Sequence, residues 1–151
     1  MTFYGTVAGS DTYFSTQKLD PNDDWKNQDP AKKTIALQQA TNIIDRLAYA
    51  GDKYDSDQEL EFPRFTDTTV PTPVTYACYE IAYALLVQGR DPDLELESAN
   101  IISENQGAGA TRKDITRTPV HILHGVPSPS AYRLLTPYFK DSRTITLSRI
   151  D

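Results

Sequence analysis

The sequence predicts a mainly α fold: a small bundle of three to four helices, one β-hairpin insertion near 98–118 and an extended C-terminal tail over 141–151. Three observations carry that expectation. Apolar residues recur at helical spacing in two long stretches. Two glycines at 107 and 109 stand between segments with strand character. The last eleven residues alternate Thr, Ile and Leu with charge.

Ser10 is placed to cap a short helix bearing Tyr13 and Phe14. The next stretch, Leu19 to Asp29, is polar and turn-rich, with Trp25 as its one apolar anchor. Asp29-Pro30 then sets a capping side chain ahead of a proline suited to a first helical turn. Ala36, Leu37, Ala40, Ile43, Ile44, Leu47 and Ala48 follow as a continuous stripe, and Gly51 supplies a left-handed stop. An acidic loop comes next and closes on Phe62-Pro63-Arg64. There Phe62-Pro63 packs back on the helices, and Arg64 offers a hydrogen-bonding fork to a carboxylate or carbonyl.

A second helix is expected from Pro73 to Gln88, stopped by Gly89. Val74, Ala77, Cys78, Ile81, Ala82, Leu85 and Leu86 form its core face, while Tyr76, Tyr79, Tyr83 and Val87 occupy much of the remainder. A helix apolar nearly all round buries more than one face, either at the domain centre or against another subunit. Beyond Pro92 the pattern weakens. Ser98 to Glu104 and Thr111 to Thr118 read as two strands around Gly107-Ala108-Gly109, with a helix through Leu94 to Ile102 as the alternative. Ser128-Pro129 opens a last short helix through Ala131, Leu134 and Leu135, ending near Pro137. The tail places Ile145, Leu147 and Arg149 on one side if extended, a pattern suited to strand addition to a partner.

A length of 151 residues suits one domain over 1–140 plus the tail. No apolar run approaches the ~18 residues of a membrane span, and the first residues lack the basic and apolar regions of a signal peptide. A single cysteine, Cys78, rules out an internal disulfide and fits a reducing compartment. Charge is uneven: residues 1–104 carry 8 basic and 18 acidic side chains, residues 105–151 carry 7 and 3, and the whole has net charge −6. A pI near 4.8 opposes strong nucleic-acid binding.

Chemistry-bearing motifs are weak. His121 and His124 are the only histidines, and Pro119, Gly125 and Pro127 argue against the helix they need to share a metal; zinc also wants three or four ligands. Asp55-x-Asp57-x-Glu59 opens like a calcium loop but meets Leu60 and Thr66 where glycine and glutamate are required. Gly107 to Lys113 lacks the spacing of a phosphate loop, although Arg112, Lys113 and Arg117 are suited to sequence-independent phosphate contact. No nucleophile motif is present. No enzyme activity, cofactor or metal is expected.

Several motifs together resemble a known family. They are Asp11-Thr12-Tyr13-Phe14, Trp25 in the following loop, the run Ala36-Leu37-Gln38-Gln39-Ala40-Thr41-Asn42-Ile43-Ile44-Asp45-Arg46-Leu47, and Gly51. Asp57-Gln58-Glu59-Leu60-Glu61-Phe62-Pro63-Arg64, the Pro-led helix after Val70, and Leu134-Leu135-Thr136-Pro137-Tyr138 complete the pattern. It resembles the head-to-tail connector, or head-completion adaptor, proteins of tailed bacteriophages, whose members often carry the automatic label of DnaT-like single-stranded DNA-binding proteins. The resemblance covers residues 10–90 and part of 128–139.

That resemblance implies a structural virion protein of the neck region, assembled in the host cytoplasm. It implies a homo-oligomeric ring, commonly of twelve copies, docked under the portal protein, meeting a tail or tail-completion protein and continuing the channel for packaged double-stranded DNA. In that setting Tyr76, Tyr79, Tyr83 and Val87 are the expected subunit interface. Arg112, Lys113 and Arg117 face the channel, and Arg143, Ile145, Leu147 and Arg149 are the portal-docking tail. The alternative is a single-stranded DNA-binding accessory protein, which normally combines a basic groove with stacking aromatics.

Overall fold

In the computed structural model, which describes residues 2–104 and 118–140, two helices make the central seam and everything else leans on it. In chain order the elements are α1 (Val7–Thr16), α2 (Pro30–Asp45), α3 (Thr72–Leu86), α4 (Pro92–Glu104), α5 (Val120–Leu123) and α6 (Pro129–Leu135). A 3-10 turn, Thr136–Tyr138, follows α6. The principal packing is α2 on α3 and α3 on α6, with α1 laid across both α2 and α3.

Capping explains where α2 and α6 start. Asp29 accepts a hydrogen bond from the Ala31 amide (2.8 Å) with Pro30 in the first turn, and Ser128 accepts from the Ala131 amide (3.2 Å) with Pro129 next. These are the caps the sequence predicts. At α1 the cap is Thr6, which accepts from the Gly9 amide at 2.9 Å, while Ser10 is buried inside the helix. Ser10 donates its hydroxyl to the Val7 carbonyl instead. The stop of α2 also differs. The helix ends at Asp45, before Gly51, because the chain turns there to bring Leu47 and Tyr49 inward. Gly51 does adopt a left-handed φ of 69°, but it does so in the loop, beneath the Phe65 ring that a Cβ would strike.

The expected β-hairpin is corrected. Residues 98–104 form the second half of α4, and no strand occurs among the described residues, where the only β pairing is two isolated bridges, Tyr49 with Phe139 and Lys53 with Arg64. Local chemistry explains the helix. Asp91 accepts from the amides of Asp93 (3.0 Å) and Leu94 (3.3 Å), Pro92 occupies the first turn, and Asp93 and Glu95 place negative charge at the positive end of the helix dipole. Arg90 locks this turn through two bonds of 2.7 Å to Glu95. With α5 added, the α-helices among the described residues number six rather than three to four. Residues 105–117, where the glycine turn was expected, and the tail 141–151 lie outside the described residues.

The core is one cluster. Leu37, Ala40, Ile44, Val74, Ala77, Cys78, Ile81, Ala82, Ala131 and Leu135 are sealed from solvent around the seam, and Trp25 is equally buried. Each large aliphatic side chain so buried contributes about 1.5–3 kcal/mol. The loop closure behaves as its residues suggest. Phe62 packs edge-on to Tyr4, Tyr49 and Tyr138. Arg64 donates to the carbonyls of Ala50, Gly51 and Glu61 and to the Glu61 carboxylate.

Tyr4 links the elements. Its amide donates to the Thr41 hydroxyl (3.1 Å), its hydroxyl donates to Asp45, and the same hydroxyl accepts from the Phe62 amide (3.1 Å). Tyr4→Phe strands a buried amide and removes the proton from Asp45, so it is expected to cost about 1–3 kcal/mol in a urea titration followed by Trp25 fluorescence. Cys78 offers a second check. Burial pushes its thiol up to about 12, and the reactive species is the thiolate. A disulfide reagent is therefore expected to leave the native protein untouched and to label it on unfolding.

Candidate nucleic-acid interface

Three side chains of α2 project away from the core on one face: Gln39, Asn42 and Arg46, at helical spacing i, i+3 and i+7. They line an open cleft of about 640 Å³, within the size range of ligand pockets. Ile43 and Leu85 give it an apolar floor. The turn from Gly89 to Asp93 forms one wall, and His124 with Gly125 forms the other.

Each wall has a local cause. Gly89 takes a left-handed φ of 60° that turns the chain from α3 into α4, and the Arg90 amide closes the turn on the Ala84 carbonyl at 3.0 Å. His124 follows α5. Its Nδ1 faces the Val120 carbonyl at 2.8 Å, so Nδ1 is the donor in that contact. The imidazole lies nearly parallel to Phe139 (10°, 6.2 Å between centroids) and close to Tyr132 (5.3 Å).

The electrostatics are local. Arg90 is engaged by Glu95, whereas Gln39, Asn42 and Arg46 have no side-chain hydrogen-bond partner among the described residues. Several other cations are engaged within the fold. Lys33 is buried against Asp11 (2.7 Å) and over the Trp25 ring, Lys18 pairs with the buried Glu80, and Lys53 pairs with Glu61. Behind Arg90 lies a smaller recess of about 520 Å³ containing His121. Burial, and secondarily Arg90, hold His121 below its ordinary value, and its Nε2 has no partner among the described residues.

His121 lines the recess behind Arg90 and His124 the α2 cleft, and a single helical turn, α5, forms between Pro119 and His124 despite the prolines nearby. No grouping of three or more His, Cys, Asp or Glu suited to a metal occurs among the described residues. The aromatic face of α3 is filled from within the chain. Tyr76 and Tyr79 pack on Tyr13 (4.7 and 5.7 Å), Tyr83 packs on Phe14 (5.0 Å) and donates to Asp20 (3.2 Å), and the Tyr79 hydroxyl accepts from the Thr6 amide. Val87 is half-buried at the same seam. α1 thus supplies the second surface that this helix needs. Arg112, Lys113 and Arg117, and the tail residues Arg143, Ile145, Leu147 and Arg149, lie outside the described residues.

The chain matches the family model described as "Putative DnaT-like ssDNA binding protein" over residues 4–107, more than half its length. It belongs to that family. No curated protein and no solved structure matches it. The assignment to a head-to-tail connector family is thereby corrected, since the motifs that carried it from Asp11 to Arg64 all fall inside the DnaT-like match. Phe14, Trp25, Leu37, Ala40, Ile44 and Phe62 in those motifs are buried core positions, so they report a shared fold and not a role. In this DnaT-like chain the cleft residues Gln39, Asn42 and Arg46 lie within the matched region, and His124 lies beyond it. The sequence alone singles out none of the three α2 residues as a site. A polar stripe at i, i+3 and i+7 opposite the apolar stripe was the available signal.

Asp45 in fact turns toward Tyr4 and the Glu61 amide (3.3 Å), and burial raises its carboxyl above the ordinary value despite those bonds. Between its ordinary value, 3.8, and the raised one, the folded state binds more protons than the unfolded chain. Stability from this group is therefore full at acid pH and falls as pH rises through the raised value. Asp45→Asn, which keeps an acceptor oxygen for Tyr4, is expected to flatten that fall in urea midpoints measured upward from about pH 4. An identical slope in both proteins would contradict the assignment.

Proposed function

We propose that the protein is a non-enzymatic accessory protein that binds single-stranded DNA, with the strand crossing the cleft between α2, the α3–α4 turn and the α5–α6 connection. The observation that carries the reading is membership of a family described by single-stranded DNA binding. The chemistry of the cleft supports it. Arg46, without a side-chain partner among the described residues, is suited to a phosphate, and His124, stacked on Phe139, offers a ring face for a base. Only one or two phosphates are contacted in such a site. Binding is then weak, and its logarithm falls against log salt with a slope of about −0.7 to −1.4.

A second reading is a structural subunit, the role of a homo-oligomeric adaptor docked under a portal in the virion neck. It draws on surface character instead of family. The net charge of −6 disfavours a nucleic-acid role, and Leu94, Val120 and Leu123 on α4 and α5 are exposed large apolar side chains suited to protein contact.

Anisotropy of a labelled mixed-sequence single strand, titrated with the protein at low salt, separates the two. Saturable binding that Arg46→Ala weakens about three- to tenfold is expected. Absence of binding at low salt, with a discrete multi-copy complex on a portal protein by native mass, would replace the first reading with the second.

A further inference from the structure

We propose that the 52–67 loop is a protein-docking surface, with Tyr54 and Phe65 as anchors for a partner segment that carries arginine beside apolar side chains. The loop takes no part in lining the α2 cleft. Its two ends are tied by the Lys53–Arg64 bridge, with the Tyr54 amide on the Pro63 carbonyl (3.1 Å) and the Phe65 amide on the Asp52 carbonyl (3.0 Å). Tyr54 and Phe65 are therefore diagonal neighbours across the bridge, a spacing that aromatic side chains can span. Both lie at the surface, 52% and 60% exposed. Phe65 also holds a left-handed φ of 56°, a conformation that bulky L-residues rarely adopt. Its ring covers the Gly51 backbone but stays mostly in solvent, so burial does little to offset the unfavourable backbone. The fold gains little from this side chain, and contact with a partner is what its placement serves.

Charge selects the kind of partner. The only cations of the loop, Lys53 and Arg64, both pair with Glu61 (3.2 and 2.6 Å). Asp52, Asp55 and Asp67, exposed and close to the two aromatic residues along the chain, have no cationic partner among the described residues. Like charge sets this surface against the phosphates of a nucleic-acid strand and in favour of a basic occupant. Arginine suits it better than lysine. The guanidinium stacks on an aromatic face, forks to a carboxylate and is the more weakly hydrated cation. Aromatic anchors within a polar rim are the common make-up of protein–protein contacts.

The test titrates the full chain into a fluorescein-labelled peptide of alternating arginine and leucine, with anisotropy read at about 0.1 M salt. Saturable binding is expected, weakened about fivefold or more by Tyr54→Ala and by Phe65→Gly. Lysine in place of arginine in the peptide is expected to weaken it too. Glycine accepts the left-handed φ, so Phe65→Gly is expected to unfold close to the wild-type temperature; a large fall would assign the ring to the fold and overturn the proposal. Binding that ignores both substitutions would reduce the contact to charge alone and overturn the anchors. Loss of single-strand binding in either variant would give the rings to nucleic acid and overturn the protein partner. Self-association of the wild type that both variants lose would make a second copy the occupant instead. Absence of saturable peptide binding would overturn the docking surface itself.

Discussion

The position of a single hydroxyl governs how this chain closes. The Tyr4 side chain is buried between the end of α2 and the loop that follows, where its oxygen donates to Asp45 and accepts from the Phe62 amide. Burial and the neighbouring carboxylate push the phenol far above its ordinary value, so it remains a donor at any accessible pH. With the Tyr4 amide on Thr41, the N-terminal strand of chain, α2 and the Phe62 loop share one knot. Remove it, and the acidic loop loses its anchor at one end, leaving Arg64 to hold the other. Most of the loop's own bonds are local turns, such as the Asp57 amide to Asp55 and the Gln58 amide to the carbonyls of Leu60 and Pro63. The fold of the loop therefore follows from the knot and not the reverse.

The same economy explains the surface. A chain with 15 basic and 21 acidic side chains engages Lys18, Lys33, Lys53, Arg64 and Arg90 in ion pairs. Lys33 is buried with its ammonium on Asp11, and that carboxylate also accepts from the Trp25 indole at 3.0 Å. Lys18 serves Glu80, whose other oxygen accepts from Tyr13 at 2.8 Å. Breaking such a buried pair leaves an uncompensated charge and is strongly destabilising, even where the intact pair adds little. These lysines are consequently unavailable to a polyanion, and the positive groups left at the α2 cleft acquire a weight that a count of residues does not reveal.

Much of the scaffold was legible. Stripes from Ala36 to Leu47 and from Val74 to Leu86 announced α2 and α3, because amphipathic periodicity is a property of the local chain. Trp25, Phe62 and Arg64 were legible as anchors for the same reason: each is the one large or forked side chain in a polar stretch. What sequence did not disclose was long-range. Nothing local says that α1 crosses α3, so the sequence left open what meets Tyr76, Tyr79 and Tyr83, against which Tyr13 and Phe14 pack. The segment 98–104 carries Ile101, Ile102 and Ser103, equally at home in a strand, and the Asp91 cap with the Arg90–Glu95 clamp decides for helix seven or more residues upstream. The cleft was missed because Gln39 and Asn42 do nothing for the fold, and polar residues on a helix are the ordinary expectation.

An acidic protein at a single strand raises an energetic objection, and the range of the field answers it. At physiological salt the screening length is about 8 Å, shorter than the reach across a domain of this size. Distant carboxylates are thus largely screened from a phosphate at Arg46, whereas Asp93, lining the same cleft, is not. Long-range steering is correspondingly absent, so association lacks the acceleration that a basic groove confers. On the single-stranded DNA proposal, affinity then comes from short-range contacts: a ring face on His124, amides on α2 and one guanidinium. A site of that composition binds weakly, and what it gains from each base is a larger share of the whole than in a strongly basic protein, where phosphates dominate. On the single-stranded DNA proposal, the acidic surface weakens the sequence-independent term, and short-range contacts carry a larger share of the binding.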